Sequence, residues 1–198
     1  MSGTKSPERM VVFGDAAVAI AITVLVLPLT EAVPEAIHEH RSTIDFLGDL
    51  QGEIYTFLLS FAVIAQLWAA HHRIFEHVTA YRPALMRWHL AWVLTIVVLP
   101  FPTAMIAGFG EDRLTPLLYI GTVLASSGCL LALTLLVQRD AELRGDGFTE
   151  RQVVNAGLTT ASLVVAFGLA FIPGVGYFAL LMLLVPPILL RLRYRPTR

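Results

Sequence analysis

Charge is what this sequence has least of: Asp, Glu, Lys and Arg make up 15% of its 198 residues, against 56% hydrophobic and a mean hydropathy of +0.70. An ordinary soluble domain carries about 25% charged residues, so a water-exposed globular fold is excluded first. Cysteine is nearly absent. The single Cys129 permits no intrachain disulfide and no thiolate metal cluster, and inside an apolar run it reads as a small packing residue. Catalytic signatures are missing too. Ser60, Ser126, Ser127 and Ser162 have no His and Asp arrangement at a shared depth, no glycine-rich phosphate loop follows a strand, and no HExxH occurs. An enzyme is therefore not expected. Nor does any segment alternate apolar and polar residues as a membrane barrel strand must.

What is present is a series of apolar runs of about 18 to 25 residues, long enough to cross a ~30 Å hydrocarbon layer as helices. Six spans follow: 10–29, 53–75, 85–107, 116–137, 152–172 and 174–190. One six-helix transmembrane domain, 1–198, accounts for the chain, an all-α membrane fold with no separate soluble domain and no internal repeat. The polar stretch 1–8 and the lack of a small-residue cleavage site make the first run a retained helix rather than a signal. Connections are short except for 30–52, whose Glu31, Glu35, Glu39, Asp45 and Asp49 belong in water. Pro173-Gly174 makes a tight hairpin of the last two spans.

Basic residues are scarce on one side only. With the N terminus inside, Lys5, Arg9, Arg73, Arg82, Arg87, Arg139, Arg144, Arg151, Arg191, Arg193, Arg195 and Arg198 are cytoplasmic, and Arg41 and Arg113 are not. Such asymmetry requires an even number of spans, with both termini cytoplasmic.

Asp15 stands about one and a half turns into the first span, where a lipid-exposed carboxylate would cost roughly 2.5–3.5 kcal/mol, so it must meet protein or water. Positions 16, 20, 23, 24 and 27 share one stripe of that helix, placing the Thr23 hydroxyl between Ile20 and Leu27, while Ala17, Ala19 and Ala21 permit close approach elsewhere. Such stripes occur in most buried helices, so pattern alone favours packing over a pore lining. At the end of the second span, Trp68 and His72 are four apart and share a face. The adjacent His71 and His72 diverge and cannot chelate a metal together. An imidazole and an indole N–H near Asp15 and Arg9 could satisfy one another. Trp88 and Trp92, flanking His89, read as an interfacial aromatic belt. Pro100 and Pro102 remove two helical donors and must kink or break the third span, as Pro186-Pro187 must the last.

Together these motifs resemble the transmembrane-protein-175 family of potassium channels. The resemblance rests on Arg9, then Phe13-Gly14-Asp15 where the family has Phe-Ser-Asp, and on Ala19-Ile20-Ala21-Ile22-Thr23 continuing to Leu27. It extends to Trp68, His71, His72, Arg73 and Phe75 in the second span and to Pro100-Phe101-Pro102-Thr103 in the third. The C-terminal half matches only in hydropathy and span count. Gly14 lacks the family's hydroxyl while preserving close packing, and His89 replaces a more usual polar residue.

The resemblance implies a homotetramer of six-helix subunits around a central pore lined by the first helix. Ile20 would form the hydrophobic constriction, Leu27 a second apolar ring, and Thr23 a hydroxyl layer tied to ion selectivity. Arg9, Phe13, Asp15, Trp68, His71 and His72 would form the network that holds the pore helix. Potassium would be the permeant ion and membrane lipid the surroundings, with no cofactor, metal or nucleic acid, in a bacterial plasma membrane. Two other readings fit the residues. Asp15, His71 and the broken helices suit a secondary or proton-linked transporter, and an apolar bundle alone suits a membrane scaffold.

Overall fold

The computed structural model describes residues 7–109 and 112–172. Within these lie nine α-helical segments: α1 Glu8–Val24, α2 Leu27–Glu31, α3 Val33–His38, α4 Thr43–Asp49, α5 Gln51–Phe75, α6 Pro83–Val98, α7 Pro100–Phe109, α8 Leu114–Arg139 and α9 Glu150–Leu169. Five stretches are long and apolar enough to cross a membrane: Glu8–His38, Gln51–Phe75, Pro83–Phe109, Leu114–Arg139 and Glu150–Leu169. They correspond to the first five expected spans. The sixth, with Pro173-Gly174, Pro186-Pro187 and the terminal arginines, lies outside the described residues, as does Lys5.

The first stretch runs further than expected. Leu25, Val26 and Ala32 keep right-handed helical backbone angles, so α1 passes through the short α2 and α3 into the acidic segment with little interruption. The segment 30–52 is thus largely helical rather than an open loop. Ser42 caps α4 by accepting the Asp45 amide at 3.2 Å, and Arg41 is held between Glu39 and Asp49.

The third span breaks where the prolines require it, at Leu99 between α6 and α7. Pro102 cannot donate, and Thr103 compensates nearby by donating its hydroxyl to the Leu99 carbonyl at 2.9 Å. At its other end, α6 begins with Pro83, preceded by Arg82 in the extended conformation that a following proline favours.

α8 packs against α6 and α9 and also touches α5 and α7. It has no single apolar face, as expected of a helix packed on several sides, and Tyr119, Ile120, Val123, Leu133 and Val137 are fully buried. Polar side chains join the helices where lipid offers no partner. Ser60 of α5 lies 3.0 Å from the Thr103 hydroxyl of α7 and donates to the Tyr119 hydroxyl of α8 at 3.2 Å, while Ser127 of α8 meets Thr160 of α9 at 2.9 Å.

The α5–α6 and α8–α9 connections lie side by side. Thr79 N–H donates to the Leu143 carbonyl at 3.1 Å and Gly145 N–H to the His77 carbonyl at 2.7 Å, and Arg82 reaches Asp140 and Glu142 at 3.0 and 2.6 Å. Gly145 is needed there, because a Cβ would fall 2.9 Å from the Thr79 methyl and 3.0 Å from the His77 carbonyl oxygen. Both connections therefore occupy one end of the bundle, as the charge count requires of them.

Ser60→Ala should remove the three-helix junction and lower stability by about 1 kcal/mol, the scale of intramembrane side-chain hydrogen bonds. Denaturant titration of the purified protein in mixed micelles measures it; unchanged stability would mean the junction contributes nothing.

Candidate functional site

α1 has two distinct faces. Met10, Gly14, Val18, Ala21 and Leu25, spaced three or four apart, are buried against α5 and α6. The stripe of Ala16, Ile20, Thr23, Val24 and Leu27 is exposed, with Ile20 at 63% and Leu27 at 47%. Among the described residues no helix buries Ile20 or Thr23, while Val24 and Leu27 border a groove with α5, α6 and α7. Pattern favoured packing for this stripe, and within one chain the packing is done by the opposite face. The Thr23 hydroxyl donates to the Ile20 carbonyl at 2.8 Å, so its oxygen retains lone pairs for an outside partner.

Asp15 is half-buried and accepts the indole N–H of Trp68 at 2.7 Å, tying α1 to α5. The bond offsets part of the cost of a carboxylate at this depth. Trp68 in turn packs beside His72, with ring centroids 5.6 Å apart, and His72 Nε2 lies 3.8 Å from Glu76. This part of the expected network is assembled.

His71 belongs to a different cluster. It is fully buried, and its Nε2 lies 3.0 Å from Nδ1 of His89, itself fully buried. The His71 ring stacks on Trp92 with centroids 4.0 Å apart and planes 7° from parallel, and it touches Phe75 at 4.4 Å. Trp92 is thus no interfacial residue. It is 0% exposed, a core ring that the belt reading misplaced, whereas Trp88 is 43% exposed. The signal for Trp92 lay in spacing, since His89 and Trp92, three apart, share a helix face.

Arg9 and Phe13 are exposed and line a concavity with Met10, Tyr81, Met86 and Leu90 near the start of α1 and α6, which His89 of the ring cluster also borders. The six expected network residues therefore divide into an Asp15–Trp68–His72 contact, a His71-centred ring cluster, and an exposed Arg9–Phe13 pair. The Ser60–Thr103–Tyr119 junction was not foreseen, because it joins residues up to 59 positions apart. Among the described residues, no group of three or more His, Cys, Asp or Glu side chains could hold a metal.

Residues 9–100 match the family described as endosomal/lysosomal potassium channel TMEM175. The chain is 32% identical over 176 residues to a potassium channel of Chamaesiphon minutus, covering 83% of this chain and 84% of that protein. It is 30% identical to the endosomal/lysosomal proton channel TMEM175 of Danio rerio over 68% of this chain, but spans only 25% of that protein. The crystal structure of a lysosomal potassium-selective channel TMEM175 homolog from Chamaesiphon minutus superimposes with a TM-score of 0.70 at 26% identity, over 95% of this chain and 97% of the other.

Trp68→Phe keeps an aromatic ring but removes the indole donor to Asp15, and should destabilise the fold by about 1–3 kcal/mol. Asp15→Asn keeps an acceptor and should cost less. Equal unfolding midpoints for both variants and the parent would show that the bond does not hold α1.

Proposed function

Since the chain belongs to the TMEM175 family of potassium channels, we propose that it is a pore-forming subunit of a potassium-permeable cation channel, four copies surrounding a central pore lined by α1. The family is one of ion channels rather than enzymes, and the protein is integral to the membrane. The observation that carries the pore assignment is the two-faced α1. One face packs on α5 and α6, and the other leaves Ile20, Thr23 and Leu27 exposed among the described residues.

Brought together around a four-fold axis, Ile20 side chains would form an apolar constriction that gates by dewetting, with Leu27 a second ring. Thr23 lies between them. Its proton is committed to the Ile20 carbonyl, so it offers an ion acceptor oxygens only, the polarity a partly dehydrated cation requires. Potassium sheds water more readily than sodium, which favours it without a carbonyl filter.

Asp15, Trp68 and His72, with His71 beside them on α5, would hold that helix in place, with Arg9 and Phe13 at its cytoplasmic entrance. Each subunit would be a single six-helix domain, 1–198, with both termini cytoplasmic, embedded in lipid of a bacterial plasma membrane. Potassium is the permeant ion; no cofactor, metal or nucleic acid takes part.

Ile20→Ala or Leu27→Ala should raise single-channel conductance, and Thr23→Val should move the reversal potential away from the potassium equilibrium value. Recordings from purified protein in planar bilayers measure both, and discrete current steps separate a pore from a carrier. A reversal potential indifferent to the potassium gradient would sink the assignment.

A further inference from the structure

Gly14 stands on the buried face of α1 against three rings. A Cβ at this position would lie 3.0 Å from Cε1 of His89, 3.4 Å from Cζ3 of Trp92 and 3.7 Å from Cε1 of His71. The first distance is tighter than ordinary carbon contacts, so any side chain at 14 must displace the His89 ring. The ring is held by its neighbours. It is hydrogen-bonded to His71 at 3.0 Å, and His71 is stacked on Trp92 and packed on Phe75. His89 also lies edge-on to Phe75, with centroids 5.5 Å apart and planes at 71°.

The hydrogen bond also restricts the two imidazoles. One nitrogen of the pair must donate and the other accept, so the rings adopt a joint orientation rather than two independent ones. The result is a rigid bridge from α5 to α6 whose edge is received where α1 has no side chain. The Met10 backbone and the Asp15 carboxylate of α1, on either side of Gly14 in the chain, both interact with His89.

Gly14 and Ile20 are six residues apart, about 120° around a 3.6-residue helix. A push at position 14 away from α5 and α6 therefore has a component in the direction Ile20 points. On the reading of α1 as the pore helix, that direction is toward the axis, and four subunits would move together.

We propose that Gly14, His71 and His89 form one positioning unit, in which the imidazole pair seated on the side-chain-free surface at Gly14 fixes the distance of α1 from the pore axis and so sets the width at Ile20. Gly14 and His89 are then a matched pair of sizes. The large ring at 89 is tolerated because 14 has no Cβ, and changing either alone alters the pore.

Unitary conductance is the measurement, because it does not depend on how many channels fold. Gly14→Ala should lower it by about twofold or more, the scale on which contacting residues couple. His89→Asn, smaller but still able to hydrogen-bond His71, should change it by about as much in the opposite direction, and Gly14→Ala/His89→Asn should return it toward the parent value. If Gly14→Ala alone yields no channels, His89→Asn and the double variant decide. Unitary conductance unchanged in those two, or altered channel number with parental unitary currents, would reduce the cluster to packing and overturn the proposal. So would a double variant no closer to the parent than His89→Asn. The inference rests on the channel reading, and the two fail differently: absence of potassium current in the parent protein removes the function, whereas parental currents with indifferent variants remove only the positioning unit.

Discussion

The placement of α1 depends on how its buried face meets α5 and α6. That face is built from Met10, Gly14, Val18, Ala21 and Leu25, with small side chains where the approach is closest. Between helices in lipid, apolar burial supplies little drive, because the lipid tails are as apolar as the side chains they replace. Close contact and hydrogen bonding must hold the helices instead. The seat of the His71–His89–Trp92 rings on Gly14 provides the contact, and the Trp68–Asp15 bond provides the polar tie. With that face committed, the stripe through Ile20, Thr23 and Leu27 stays exposed among the described residues.

The same economy runs through the rest of the bundle. Intramembrane polar groups are gathered in small clusters that each join two or three helices: Asp15 with Trp68, His71 with His89, Ser60 with Thr103 and Tyr119, and Ser127 with Thr160. A polar group facing lipid without a partner costs several kcal/mol, so such clusters select one packing over its alternatives. Thr23 differs from these. Its hydroxyl bonds to the Ile20 carbonyl of its own helix and joins it to no other described helix.

Much of this architecture was legible in the residues. Run lengths located five helical spans, four of them within a few positions at both ends, and the prolines at 100 and 102 foretold the break between α6 and α7. The depth of Asp15 demanded a partner, and the indole of Trp68 supplies it. Less legible was the continuation of α1 through α2 and α3, because a polar, acidic stretch with Pro28 and Pro34 reads locally as a connection. Trp92 was misplaced for a related reason. A tryptophan near a span end usually marks the interface, and only the neighbouring helices place it in the core.

The sequence by itself determined that the chain is a bundle of membrane helices and which residues cannot face lipid, because hydropathy and charge are properties each residue carries wherever it stands. It also named the stripe on α1. Only the tertiary structure decided which side of α1 is used for packing, since that depends on side chains from α5 and α6 that lie more than 50 residues away along the chain. The choice of Gly14 over a larger residue makes sense only once His89 is seen 3.0 Å from where its Cβ would be. Steric fit between distant segments has no local signature, and it is fit that turns the stripe outward.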